Sequence, residues 1–278
     1  MDHALPRTAL ALCTLGLLAG PALADEPKKV GEVQISVDKH TTEFGRLHLS
    51  AALLGYQLSA PDGGPVSTFG AYFELAPRLI VHGHATLPLL GFAGGDDAPY
   101  RVEGGGFLIA SNKLQVENEE VILSQTAATS SHDGEKVYAI MPMVNRNRIG
   151  IDANLIFAHG SEKFDEADGT GKVTTRSTAL MAAVGVGGIG SMGYEVSVGG
   201  HGKRANYRWN TGGLDVLVDL ARSYDSEPME KGSRFGGRLW AETLWFRHLG
   251  MSARAEIGKF PGHAGWLLVA SLGGSLHL

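Results

Sequence analysis

Two histidines one residue apart, His82 and His84, are the first residues whose types and spacing could do chemistry. On a strand they share one face, and His48 could join them from a neighbouring strand. Imidazole is the commonest metal ligand, but no carboxylate accompanies the pair locally, so they read as histidines of a polar face rather than as a metal site. Gly185-Val186-Gly187-Gly188-Ile189-Gly190 matches the GxGxxG fingerprint. That motif cradles a dinucleotide only between a strand and a helix. Here Gly193–Val198 alternates like a strand, so a glycine-rich β segment is expected. Ser131-His132-Asp133 holds the residue types of a catalytic triad, but adjacent residues in a turn cannot form its relay. Ile189-Gly190-Ser191-Met192-Gly193 lacks the first glycine of a nucleophile elbow. Phe164-Asp165-Glu166-Ala167-Asp168-Gly169 is acidic and loop-like but fails the EF-hand ligand pattern. The single cysteine, Cys13, excludes a disulfide framework and any Cys-based zinc pattern. No residue is thereby assigned to catalysis, a cofactor or a metal, and a passive role is expected ahead of an enzymatic one.

What must position these residues is a set of strands, because the recurring period is two. Phe69, Ala71, Phe73 and Leu75 alternate with Thr68, Gly70, Tyr72 and Glu74. Leu79, Val81, Gly83, Ala85 and Leu87 alternate with Ile80, His82, His84 and Thr86. Ile149, Ile151, Ala153, Leu155 and Phe157 form another apolar row, as do Met251, Ala253, Ala255 and Ile257. If the apolar face meets lipid, the polar one lines a lumen: Arg46, His48, Glu74, His82, His84, Arg101, Glu103, Asp152, Asn154, Glu195, Asp215, Asp219, Arg238, Glu242, Arg254 and Glu256. Charges turned towards lipid instead would cost ~2–4 kcal/mol each at mid-bilayer. Both signs are present, which fits a hydrated lumen crossed by ion pairs and weak ion selectivity. The bland alternative is a lumen plugged by loops or by the polar stretch Asp25–Gly45. Phe69, Tyr72, Tyr194, Tyr207, Trp209, Trp240, Trp245, Phe260 and Trp266 are candidates for aromatic girdles at two interfaces, or for ordinary sheet core.

The chain has 278 residues, 44% hydrophobic and 19% charged, with 39 glycines and a net charge of −5. Glycine is therefore about twice its usual share. The hydrophobic fraction is too high for disorder, and the charge gives no reason to expect a nucleic-acid partner. About fourteen candidate strands begin near Arg46, Thr68, Leu79, Tyr100, Gln115, Glu135, Ile149, Thr174, Ser191, Arg204, Leu214, Phe235, Met251 and Gly265, many of them ~10 residues long. Long polar connections (Ala60–Ser67, Gly91–Pro99, Ala128–Gly134, His159–Val173, Arg222–Arg234) alternate with short ones (Ala76–Arg78, Asn112–Leu114, Asn145–Arg148, Gly188–Gly190, Leu249–Gly250). Transmembrane barrels sort their loops this way, with both termini at the short-turn end.

Residues 1–24 read as a secretory signal peptide: Arg7, an apolar run Thr8–Gly20, then Ala22-Leu23-Ala24, with cleavage between Ala24 and Asp25. With this leader, dyad-repeat strands, high glycine and sorted loops, the chain resembles the outer-membrane β-barrels of Gram-negative bacteria. The segment Trp266–Leu278 is similar to the C-terminal assembly signal of that class, though it ends in Leu278 where the class usually ends in Phe or Trp. The resemblance implies an all-β fold, a single antiparallel transmembrane barrel of about 12–14 strands over residues 46–278. It also implies a polar periplasmic segment over 25–45, residence in the outer membrane with both termini periplasmic, and lipid, lipopolysaccharide and the barrel-assembly machinery as partners. The function expected is a passive, weakly selective channel or a structural barrel. The rivals are a barrel enzyme acting on lipid or lipopolysaccharide and a secreted soluble β-protein.

Overall fold

A computed structural model describes residues 35–43, 46–59, 64–89, 99–125, 136–165, 172–198, 202–225, 232–245, 249–262 and 265–278. The leader with its Ala24/Asp25 junction, Ser131-His132-Asp133 and the connections at Gly94–Asp97 and Asp168–Gly169 lie outside the described residues. Eleven strands follow in order: β1 (Ile35–Thr41), β2 (Leu47–Ser59), β3 (Gly64–Ala76), β4 (Leu79–Pro88), β5 (Tyr100–Gln125), β6 (Lys136–Asp165), β7 (Lys172–Val198), β8 (Gly202–Tyr224), β9 (Phe235–Trp245), β10 (Leu249–Lys259) and β11 (Leu267–His277). Strands β2 to β11 pair antiparallel with their sequence neighbours, and β11 pairs back onto β2 from Leu267↔Ser59 to His277↔His48. The sheet therefore closes on itself as a ten-stranded up-and-down barrel, which leaves it without an edge along its length.

Ten strands carry the fourteen candidate segments because four strands hold two each. β5 contains the segments expected at Tyr100 and Gln115, β6 those at Glu135 and Ile149, β7 those at Thr174 and Ser191, and β8 those at Arg204 and Leu214. The connections expected at Asn112–Leu114, Asn145–Arg148 and Gly188–Gly190 are strand interior, paired as Leu114↔Arg146 and Arg148↔Ile189. A tight hairpin there would need glycine at positive φ, and among the described residues only Gly262, at φ 78°, adopts it.

These four long strands outrun the rest of the barrel at the end that carries the C-terminus. β4 follows β5 only to Leu79↔Leu108. β6 parts from β7 below Arg146↔Ser191, and β1 takes its place beside β7 from Thr41↔Gly193 to Ile35↔Val198. β9 leaves β8 below Trp245↔Arg208. The β5–β6 hairpin and the β1–β7–β8 sheet then face each other over an apolar core of Val121, Met143, Met192, Tyr194, Val196 and Val198, against which Ile35 and Met141 pack. Burial holds the Tyr194 phenol above its usual range. Glu119 of β5 spans to β8, accepting from Asn206 at 3.2 Å and facing Arg208 at 3.9 Å. The part of the polar N-terminal segment that is described is thus a strand of this extension, not a plug in the barrel. It is pinned by Asp38, which accepts from Ser197 and faces Lys203 at 3.6 Å, and by the Val144 N–H, which donates to His40 Nε2 at 3.0 Å.

Candidate functional site

Strand alternation turns one face of the barrel wall inward, and that face is charged. Arg101 and Glu103 on β5, Asp152 on β6, Asp215 and Asp219 on β8, Arg238 and Glu242 on β9, and Arg254 and Glu256 on β10 are all buried, as are His48 and His84. Some meet on neighbouring strands, as Asp215 with Arg238 and Glu242 with Arg254 do, and others meet across the barrel, through Glu103 and Arg101 of β5. Arg238 donates through Nε to Asp215 at 2.7 Å and through Nη1 to Glu103, with Glu256 at 3.7 Å. Arg254 reaches Glu103 at 3.1 Å, Glu242 at 3.3 Å and Glu256 at 3.5 Å. Arg101 closes on Glu256 at 2.5 Å. Glu242 also accepts from the Ser50 hydroxyl at 2.6 Å and the Tyr72 hydroxyl at 2.7 Å. His82 Nε2 lies 2.8 Å from Asp152, and Arg254 Nη1 donates to His84 Nδ1 at 3.1 Å. His48 stacks on Trp209 at 5.1 Å. The three histidines therefore take separate partners, and among the described residues no cluster of His, Cys, Asp and Glu could hold a metal ion.

Apolar layers close this network at both ends. Ile80, Phe107, Ile109, Ile189, Tyr207, Trp209 and Leu244 pack together at the end that carries the extension. Ile156, Met181, Ala183, Leu217 and Phe260 pack at the other. Phe260 is carried inward by the β10–β11 turn, whose Pro261 carbonyl accepts from Arg222. Arg222 in turn holds Asp219 at 2.7 Å. Gly262 makes the turn possible, because at φ 78° a side chain would be strained and its Cβ would strike the Arg222 guanidinium. Gly185 matters in the middle layer: a Cβ there would collide with Leu214 O and the Asp215 carboxylate that Arg238 needs.

Three of the residues expected inside the barrel lie elsewhere. Arg46 precedes β2 and is exposed. Glu74 sits at the rim, paired with Arg148 at 3.2 Å. Glu195 belongs to the extension, where it accepts from Tyr207, because the strand continuing past Gly190 carries it below the barrel. The aromatic girdle also differs: Tyr72, Tyr194, Tyr207, Trp209, Trp240 and Phe260 are buried, leaving Phe69, Trp245 and Trp266 of the candidates outside. Tyr56, Phe73, Tyr100, Phe157 and Phe235 join them there. The signal for Tyr72 and Trp240 was their parity with Glu74 and with Arg238 and Glu242. Gly185–Gly190 lies wholly within β7, with no helix after it, so the dinucleotide reading fails. Ser191 of the incomplete elbow donates to the Thr42 carbonyl at 2.8 Å.

The outward face is apolar in register. On β5–β8 the paired rows run Ile149–Gly188–Gly212, Leu108–Ile151–Val186–Leu214, Gly106–Ala153–Val184–Val216, Gly104–Leu155–Ala182–Val218 and Val102–Phe157–Leu180–Ala221. The next row is Tyr100–His159–Thr178–Ser223, and at the opposite edge Asn147 and Arg146 follow Ile149. From Ile149 to His159 the strand advances ~33 Å, or ~25 Å of height at a tilt of ~40°. Leu54, Leu239, Met251 and Leu272 continue the apolar surface on the other side, Leu54 being 74% exposed. No family model, no curated protein and no solved structure matches this chain.

Proposed function

We propose that the protein is an integral outer-membrane barrel with a sealed interior, a structural rather than a conducting one. The observation that carries this reading is the inversion of the fold: paired charges occupy the inside while the outer wall presents leucine, isoleucine, valine and phenylalanine. In water such a wall would be an apolar patch far beyond the few hundred Å² a soluble monomer usually exposes. In lipid it is the stable solution, since a closed barrel satisfies every backbone group and keeps charge away from hydrocarbon. The ~25 Å height of the wall matches the apolar band of such barrels. Its flanking aromatics (Tyr56, Tyr100, Phe235 and Trp266 at one end, Phe73 and Trp245 at the other) suit the two interfaces.

On this reading the termini and the extension lie on the periplasmic side, lipid and lipopolysaccharide are the surrounding partners, and β11, which closes the barrel on β2, is the strand the assembly machinery would engage. In place of the hydrated, weakly selective pore expected from the polar face, this reading has a filled core, because the inward arginines are paired with carboxylates and apolar layers cap the network. The same paired core favours a second reading, a secreted soluble barrel, in which the outer wall would be covered by something other than lipid. Two measurements separate them. Protein refolded into phosphatidylcholine vesicles should migrate differently before and after boiling, and should leave a planar bilayer electrically silent. A detergent-free soluble monomer refutes membrane insertion, and stepwise conductance refutes the sealed interior.

A further inference from the structure

The polar row that ends the apolar wall on β5–β8 is built differently from a simple boundary. Tyr100, His159, Thr178 and Ser223 stand side by side on the outer face, directly paired across four strands. The His159 ring stacks on Tyr100 with centroids 5.3 Å apart, and its Nδ1 shares a 2.9 Å hydrogen bond with Thr178 Oγ1. Both contacts fix the ring, and they leave Nε2 without a protein partner among the described residues. Ser223 is exposed. One row higher, the Arg176 side chain is 43% exposed and faces Asp225 at 3.9 Å. Directly beneath lie Val102, Phe157, Leu180 and Ala221, a surface suited to acyl chains. We propose that this rim is a docking site for a phosphomonoester-bearing lipid headgroup. Arg176 and His159 would supply cationic and ring N–H donors, Thr178 would hold the His159 ring through Nδ1, and the Ser223 hydroxyl would supply a further hydrogen bond. Its acyl chains would descend along the wall below. Arginine is the residue best matched to such an oxyanion, and a headgroup at this height sits in the interface, where its hydrogen bonds are less diluted by water.

The inference rests on the membrane reading above, so insertion is scored first, by the shift in migration on boiling. The full chain in phosphatidylcholine nanodiscs is then titrated with phosphatidic acid, and the lipid retained per barrel is counted by native mass spectrometry. Preferential retention of phosphatidic acid is expected, weakened about tenfold in Arg176→Gln and in His159→Ala. Lys259→Ala, on an exposed residue of β10, should retain it unchanged. Each variant must still show the migration shift, which removes misfolding as an explanation. Equal retention by wild type and both rim variants overturns the site. Full displacement by inorganic phosphate also overturns it, since that marks a free-anion site and not a lipid one. A chain that never inserts refutes the membrane reading itself, and the site with it.

Discussion

Replacing Arg238 by Met tests whether the ion network is the core of this barrel. The side chain is 2% exposed and serves three carboxylates. Its loss falls unevenly on them. Glu103 keeps Arg254 at 3.1 Å, and Glu256 keeps Arg101 at 2.5 Å and Arg254 at 3.5 Å. Asp215 is left with the Trp240 indole N–H at 3.2 Å as its remaining donor, for one of its two oxygens. Removing one partner of a buried pair costs ~3–5 kcal/mol, because the other charge stays buried without compensation. Arg238→Met should therefore destabilise by about that amount, most of it at Asp215. Adding Asp215→Asn to the same chain removes the stranded charge and should return ~2–3 kcal/mol, so the two substitutions couple instead of adding. Denaturant unfolding of the lipid-reconstituted protein, followed by tryptophan fluorescence, measures both values, since Trp209 and Trp240 are buried beside the network. A loss under ~1 kcal/mol for Arg238→Met would mean the site is wet and screened. A further loss on adding Asp215→Asn would refute the assignment of the penalty to that carboxylate.

The membrane reading makes a paired prediction on one sheet. Leu155→Arg, at mid-wall, should cost ~2–4 kcal/mol in lipid, whereas Leu114→Arg, on the extension of β5, should cost under ~1 kcal/mol; equal costs in reconstituted unfolding would place both residues in the same solvent. The β1 strap should loosen in acid. The hydrogen bond from Ser197, with Lys203 nearby, holds the Asp38 carboxyl below its usual range. The native state therefore favours the charged form, and that stabilisation is complete above the ordinary carboxylate range and is lost as pH falls through the depressed value. Protection of the Gly193–Val198 amides, taken as exchange relative to the intrinsic rate at the same pH, should fall below about pH 4, and Asp38→Asn should show the lower protection at every pH. Wild-type protection that does not change with pH would exclude Asp38 as the clasp.

How much of this was legible in the sequence depends on which property of a strand is at stake. Direction of side chains was legible, because a period of two fixes the face of every residue once one is known. Glu103, Asp152, Asp215, Arg238, Glu242, Arg254 and Glu256 all lie inside on parity alone, and so does the pair His82 and His84. Where parity and residue type conflicted, parity was the better guide. Tyr72, Trp209 and Trp240 look like interface aromatics by type, yet they share faces with Glu74, Asp215 and Arg238, and they are buried. Strand ends were not legible. Asn112, Asn145 and Gly188–Gly190 have the composition of turns, but the strands run on through them into the extension and do not reverse.

That single misplacement of ends carries through to the interior. Fourteen strands would enclose a space that inward side chains cannot fill, whereas eight are just filled. Ten strands stand nearer the second case, and their inward set includes Tyr72, Trp209, Trp240, Phe107 and Phe260 besides three arginines. The polar face implied ions inside in either case. What decides between water and close packing is the volume per inward side chain, which follows from strand number and not from pattern. With the barrel narrowed to ten, Arg238 and Arg254 each reach carboxylates from three strands at once, Arg101 adds a link from β5 to β10, and these ion pairs tie the walls together.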